Sequence, residues 1–283
     1  MKDCKLLQKT KKLDKKRENI TIGTITFMIP AERRQKILKF IREAGAASIA
    51  TLSSLLKVSE ATVRRDLDEL SKEELVIRSH GGAVYRNEGS STVYEPGYRS
   101  RIHANIEEKR RIAFKAAERV QNGSSLILDS GSTALEIARS LQGKERLTVV
   151  TIDIRVAMEL ARMKGIQVMV TGGILREGLY TLYGSHAESL LDELSVDLAF
   201  LSAYGIDESG VTTVNPFQVP VKRKMIQVAR RVIVTADHTK FGKRLFSRIC
   251  TFDEIDEIIT DSGLDPKYKA FLEKEGPVKI TVA

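Results

Sequence analysis

The stretch VSEATVRRDLDEL, residues 58–70, followed a short way on by RSHGGA at 78–83, decides the fold of the N-terminal part. Ser59 stands where a helix N-cap belongs, and Glu60 falls in the first turn, where a carboxylate meets the positive end of the helix dipole. Val63, Leu67 and Leu70 recur at i, i+4 and i+7, which marks an inner face and turns Ala61, Thr62 and Arg65 outward with Arg64 at the flank. Leu75–Arg78 and Ala83–Arg86 alternate like two short strands around Ser79-His80-Gly81-Gly82, a turn suited to a hairpin. Upstream, Ile37, Leu38, Ile41 and Ala44 line one side of a helix that starts at Pro30 and stops at Gly45, and a second short helix covers about Thr51 to Leu56. Three helices and a hairpin, in that order, read as a winged helix-turn-helix.

In such a unit the N-terminal part of the last helix reaches base edges in the major groove. Arg65 is the candidate for a bidentate contact to guanine, while Arg64 and Lys57 suit phosphates. Ser59, Glu60 and Thr62 complete this face. In the wing, Arg78, His80, Gly81 and Gly82 are candidates, because glycines let backbone amides approach a phosphate closely. The same residue types fit a second reading: solvated ion pairs of the arginines with Asp68 or Glu69, and a hairpin turn with no partner.

Outward from this unit, the chain of 283 residues has room for two domains, and its 42% apolar and 29% charged residues are ordinary globular values. No apolar run approaches the roughly 20 residues a membrane helix needs. Two cysteines, Cys4 and Cys250, make no disulfide framework, and a reduced cytosol is the expected compartment. The formal net charge is +9, of which residues 1–29 carry +5, residues 30–88 carry +2 and the rest +2. The folded body is therefore only mildly basic, and charge alone is a weak argument for nucleic acid. The expected organisation is a basic disordered leader over 1–29, the winged unit over 30–88, a Gly/Ser/Pro-punctuated linker over 89–106 and an α/β domain over 107–283. The leader reads first as a solvated tail, or as sequence preceding a true start at Met28, and only then as a phosphate-tracking arm.

Beyond the linker, helices near 107–121, 133–141, 154–163, 185–194, 219–230 and from Pro266 alternate with strands near 125–129, 147–151, 166–171, 197–202, 231–236 and Ile258. This repeated order predicts a mostly parallel sheet covered on both faces. Strand SLILD ends at Asp129 and is followed by Ser130, Gly131, Ser132 and Thr133 opening a helix, a geometry that binds anions through free amides and the helix dipole. It is also what a well-capped strand-to-helix turn looks like. It matches neither the ATP phosphate loop nor the dinucleotide glycine fingerprint, so no cofactor is expected. Asp153, Gly172, Gly173, Gly205, Asp207, Asp237 and Lys240 lie at other strand ends, where open α/β sheets place ligands. Lys222, in VPVKRKM, either supplies a cation to this site or is one of several basic residues on a solvated helix face. The four histidines show no metal-ligand spacing.

Two long stretches carry a resemblance. ERRQKILKFI with LSSLLKVSEATVRRDLDELSKEELVIRSHGGAV resembles the N-terminal domain of DeoR-type bacterial transcriptional regulators. From about Tyr98 onward, YRSRIHANIEEKRRIA, LDSGST, VTGGIL, GID, VKRKMI and ADHTKFG resemble the sugar-phosphate-sensing domain of the same family. The resemblance implies that Ser59, Thr62, Arg64, Arg65 and Asp66 belong to a recognition helix and His80 to Gly82 to the wing. It further implies a fold related to sugar-phosphate isomerases, with Ser130 to Thr133 holding a phosphate and Asp129, Asp153, Asp207, Lys222, Asp237 and Lys240 lining a sugar site. Ile152, Ser202 and Tyr204 depart from the family's common T-N-D and G-A-N-G-I-D patterns. The expected partners are operator DNA, a phosphorylated sugar and further copies of the chain, as a dimer or tetramer. The expected function is a repressor released by that sugar; the rival is an isomerase or deaminase with an attached DNA-binding domain, using Asp129, Asp207 or Asp237 as a base.

Overall fold

The computed structural model describes residues 29–44, 46–73, 75–79, 81–85, 98–176, 178–275 and 278–283. Nearly all of the expected leader, His80 and half of the expected linker lie outside them. The chain divides into two compact units, one ending at Tyr85 and one carrying everything from Tyr98 onward.

In the first unit, α1 (Pro30–Ala44), α2 (Ile49–Leu56) and α3 (Glu60–Lys72) enclose Ile37, Ile41, Leu52, Val63, Leu67 and Leu70, all nearly or wholly buried. Strands β1 (Ala46–Ser48), β2 (Val76–Ser79) and β3 (Gly82–Tyr85) form an antiparallel sheet in the order β1-β3-β2. β1 has no counterpart in the sequence reading, because three small residues carry no periodicity. It also moves the start of α2 from Thr51 back to Ile49, where Ser48 caps the helix by accepting a hydrogen bond from the Thr51 amide at 3.0 Å. Gly82 is required here for room: a Cβ would collide with the Ala47 carbonyl of β1.

In the second unit, helices α4 (Tyr98–His103), α5 (Ile106–Ala117), α6 (Ser132–Ser140), α7 (Ile154–Leu160), α8 (Ser185–Asp192), α9 (Val219–Val228) and α10 (Pro266–Glu275) accompany strands β4 (Ser125–Leu128) to β15 (Lys279–Val282). Seven of these strands form a parallel sheet: β6 (Ile166–Val170), β5 (Leu147–Thr151), β4, β9 (Leu198–Ser202), β12 (Val232–Thr235), β14 (Glu257–Thr260) and β15, in that spatial order. Along β4, β9 and β12, successive side chains alternate between two apolar layers. Leu126, Leu128, Phe200 and Ile233 enter one, and Ile127, Ala199, Leu201 and Val234 the other. Both faces are thus covered, as continuous apolar runs in parallel strands require.

Three features differ from the sequence reading. Residues 98–103, expected in the linker, form α4. The helix expected to reach residue 121 ends at Ala117. Smaller antiparallel pieces, β7 (Ile174–Leu175) with β8 (Leu182–Tyr183) and β10 (Gly205–Asp207) with β11 (Gly210–Thr213) and β13 (Ser247–Cys250), and the edge strand β15 were not anticipated. Strands of two to four residues are too short for a pattern to declare itself.

Candidate functional site

Two regions gather the chemistry. On α3, Ser59 accepts from the Thr62 amide at 3.2 Å, and the two hydroxyls lie 2.9 Å apart, so both serve the cap while remaining at the helix start. Arg64 pairs with Glu60 at 3.2 Å across one exposed turn. Arg78 pairs with Asp68 at 3.0 Å and donates to the Gly82 carbonyl at 2.9 Å, binding the wing to the helix. Arg65 is exposed and has no hydrogen bond or ion pair among the described residues. Lys57, also exposed, ends α2 with φ 52, and Gly81 has φ 86 at the hairpin turn. The ion-pair partners anticipated for Arg64 and Arg65, Asp68 and Glu69, instead serve Arg78 and Lys72. Asp66, assigned by resemblance to the recognition helix, lies on α3 but is 4% exposed and accepts from Arg33 of α1 through both oxygens. It pins α1 to α3, a role that only spatial proximity reveals.

The second region lies beyond the carboxyl ends of β4 and β9. Chain order runs outward from β4 through β5 to β6 in one direction and from β9 through β12 to β15 in the other, so this gap is the topological switch point, where open α/β sheets bind ligands. Asp129, Ser130, Gly131, Ser132 and Thr133 cross it, all under 10% exposed where polar. Gly131 has φ 110, a conformation only glycine adopts without strain, and no side chain caps the N-terminus of α6. The α6 amides therefore face the gap with the helix dipole behind them.

The floor of the gap is charged. Asp129 and Lys222 are both fully buried and paired, with Asp129 also accepting from the Ser202 amide at 2.8 Å and Lys222 donating to the Ser202 carbonyl at 3.1 Å. Lys222 is thus no member of a solvated face, and its ammonium is committed to the floor. Asp153 accepts from the Gly131 amide at 3.0 Å and from the Arg155 and Val156 amides at the start of α7. Burial pushes its carboxyl up to about 6, against the pull of those three amides.

Asp237 is buried at the end of β12, where it accepts from Asn105 at 3.1 Å and from Thr239. Burial opposes its ionisation, but the Lys240 charge and the Thr239 bonds prevail and hold it below the usual carboxylate range. Asp207 is not brought to the gap by any of its bonds: its carboxylate accepts from Ser209 and Arg244, which likewise hold it low despite burial. Gly205 is a packing position, closed by the Lys243 carbonyl and Thr212 hydroxyl. Gly172 and Gly173, with φ 71 and 107, make the turn after β6, and a Cβ on Gly173 would strike the Tyr183 carbonyl at 2.6 Å.

Several residues escaped the sequence reading. Arg101 of α4 donates to the Tyr204 hydroxyl, lies 5.2 Å from that ring's centroid, and brings Nη1 to 3.8 Å from the point where a Gly131 Cβ would stand. Tyr98 packs edge-on against Tyr180 at 5.1 Å, and Arg155 covers both rings. Lys109, 4% exposed, donates to the Arg101 carbonyl at 2.6 Å and to that of Ala104; burial lowers its ammonium to about 8. Among the described residues, the Tyr98 hydroxyl, Asp129 Oδ1 and both polar atoms of Gln218 are buried without a hydrogen-bond partner. Gln218 is the residue just before α9, four positions ahead of Lys222. Unpartnered buried polar atoms are rare and costly, and the one on Asp129 stands at the gap itself, just after β4. The available sequence signal was the i, i+3 spacing of Tyr98 and Arg101 on one helix face. Among the described residues no group of three His, Cys, Asp or Glu could hold a metal ion, and no helix is long and apolar enough to cross a membrane.

Comparison with known proteins supplies the context. A model of the DeoR-like helix-turn-helix domain matches residues 33–88, and one of the DeoR C-terminal sensor domain matches residues 104–262. The chain is 39% identical over 256 residues to the uncharacterized HTH-type transcriptional regulator YulB of Bacillus subtilis strain 168, covering 90% of this chain and 97% of that one. It is 37% identical to the HTH-type transcriptional regulator GolR of Listeria innocua, covering 89% and 99%, and 34% identical to the HTH-type transcriptional repressor GlcR of Bacillus subtilis, covering 88% and 95%. Among solved structures, ribose 5-phosphate isomerase A of Methanocaldococcus jannaschii is similar over 50% of this chain and 57% of its own, at 21% identity and a TM-score of 0.38.

Proposed function

The chain belongs to the DeoR family of helix-turn-helix transcriptional regulators, and from that premise we propose that it represses a sugar-metabolism operon and is released from the operator by a phosphorylated sugar. The observation that carries the sensing half is the uncapped α6 N-terminus next to a fully buried Asp129–Lys222 pair, in which Asp129 Oδ1 has no hydrogen-bond partner among the described residues. In this reading the amides and hydroxyls of Ser130 to Thr133 hold the phosphate, and Asp129, Asp153, Gln218, Asp237 and Lys240 surround the sugar, with Lys222 fixing the floor. Gly172, Gly173 and Gly205 shape the surrounding turns, and Asp207 acts through Arg244.

The DNA half rests on Arg65 for base contact, with Lys57, Ser59, Glu60, Thr62, Arg64, Arg78, Gly81 and Gly82 positioning the helix and wing on the backbone; His80, a sequence candidate for the same role, lies outside the described residues. Two such units on a symmetric oligomer would address half-sites about 34 Å, one DNA turn, apart. The reading places the protein in the cytosol, where DNA and phosphorylated sugars meet. Release requires the effector to favour the DNA-incompetent arrangement, with a coupling of about 1 to 3 kcal/mol. Asp129 and Asp153 are engaged by Lys222 and by backbone amides, which suits a binding floor better than a base that must reach a substrate proton.

The test is fluorescence anisotropy of the full chain on DNA from upstream of its own operon, titrated with sugar phosphates and their unphosphorylated counterparts. Specific binding relieved by a phosphorylated compound alone is the expected result. Binding indifferent to every sugar phosphate, or turnover of one, would sink the reading.

A further inference from the structure

We propose that Ala61 is a specificity-determining residue: its methyl group packs against the 5-methyl of a thymine in the major groove, one helical turn from the guanine that Arg65 contacts. Each operator half-site then pairs a thymine with a guanine. The inference deepens the DNA-reading half of the proposed function and rests on it.

Along α3 each residue turns by about 100°. Val63, Leu67 and Leu70 are buried in the core of the first unit and fix the inner face. The line farthest from that face runs through Ala61, Arg65 and Asp68, at i, i+4 and i+7, and all three residues are exposed. Asp68 is already paired with Arg78 of the wing at 3.0 Å. Its carboxylate is thereby drawn away from the cytosine amino group that an acidic side chain otherwise accepts from. The part of this outer line nearest the helix start thus presents one methyl group and one guanidinium.

The polar groups on either side of Ala61 are engaged with one another. Thr62, turned about 100° away, is only partly exposed, and its hydroxyl lies 2.9 Å from that of Ser59. On the other flank, Arg64 donates to Glu60 at 3.2 Å. In the major groove thymine alone among the four bases carries a methyl group, and a small apolar side chain is its complement. The short side chain also lets the start of α3 come close to the base edges, while Arg65 extends from the next turn. Four residues advance the helix by about 6 Å and base pairs stack about 3.4 Å apart, so the two contacts fall within about three base pairs of each other.

The test begins with selection of bound sequences from random DNA by the full-length chain. Anisotropy is then measured on the selected site with single thymines replaced by deoxyuridine, which removes only the methyl group. One such replacement in each half-site, within about three base pairs of a guanine, is expected to weaken binding about 4-fold, the worth of one buried methyl group. Ala61→Gly should bind the thymine and deoxyuridine sites equally while still discriminating against 7-deazaguanine, which lacks the N7 acceptor, at the guanine. Arg65→Ala should show the converse pattern. Melting temperatures report folding, and Ala61→Gln, which keeps a good helix former in place, should shift the selected base from thymine towards adenine. Native affinity on every deoxyuridine site, or an Ala61→Gly variant that keeps the native loss, overturns the inference while leaving operator binding intact. A native chain that selects no sequence removes the DNA-reading half of the proposed function along with it.

Discussion

The two units handle charge in opposite ways. On the outer face of α3 the arginines lie in water: Arg64 shares an exposed turn with Glu60, and Arg65 has no partner among the described residues. At the switch point the charges are enclosed: Asp129 and Lys222 are fully buried, as is Asp153, whose carboxyl is pushed up to about 6. A surface meant for a polyanion keeps its cations hydrated and mobile until they meet phosphates and bases. A pocket meant for one small anion fixes its charges beforehand, since a buried group cannot reorganise cheaply. The exception is Asp66 with Arg33, an enclosed pair inside the DNA-binding unit that serves packing.

This contrast yields measurements that can break it. The largest effect is expected at the floor of the sensor. Lys222→Met strands the Asp129 carboxylate and should destabilise the α/β unit by about 3 to 5 kcal/mol, read by urea unfolding, whereas Asp129→Leu combined with Lys222→Met recovers much of that loss. A single variant as stable as the native chain would mean that the pair is not sealed from water.

Next is the pH dependence of Asp153. Its folded pKa lies above the ordinary value, so the folded protein takes up a proton between about pH 4 and 6 that the unfolded chain does not. Stability from this group is therefore lost as pH rises through that window. Asp153→Asn does not titrate. Relative to the native chain, it should gain stability on going from pH 4 to pH 7, by on the order of 3 kcal/mol at most. A stability difference that stays flat across the window would contradict the enclosed carboxyl.

The smallest effect on folding, and the reverse pattern, is expected at Arg65. Arg65→Ala should change stability by less than about 0.5 kcal/mol while losing roughly 1 to 3 kcal/mol of discrimination between operator and unrelated DNA. An equal loss on both DNAs would reassign Arg65 to phosphate contact.

Legibility followed the range of the interactions. The faces of α1 and α3, the hairpin, the βα order and the turn at 129–133 were all readable, because spacing at i, i+4 or i, i+2 is written in adjacent residues. The capping role of Ser59 was read the same way. What escaped has two causes. β1, β7, β8 and β10 are too short to show a period, and α4 hides between a Gly/Ser/Pro-rich stretch and a stronger helix. Asp207 looked like its neighbours at strand ends, yet Arg244 and Ser209 take its carboxylate locally.

The sequence by itself determined which elements form, in what order, and that hydroxyls and glycine open a helix at the end of β4. It also set the chemical kind of each face, since hydropathy at helical or strand spacing states which side is buried. Only the tertiary structure decided which charges meet. Lys222 and Asp129 are 93 residues apart, Arg101 and Tyr204 are 103 apart, and Arg33 and Asp66 are 33 apart. No local pattern encodes such a pairing. It follows from the strand order, which brings β4 beside β9, so that a lysine readable as solvated becomes a buried floor and an arginine expected in a linker meets a tyrosine that follows β9.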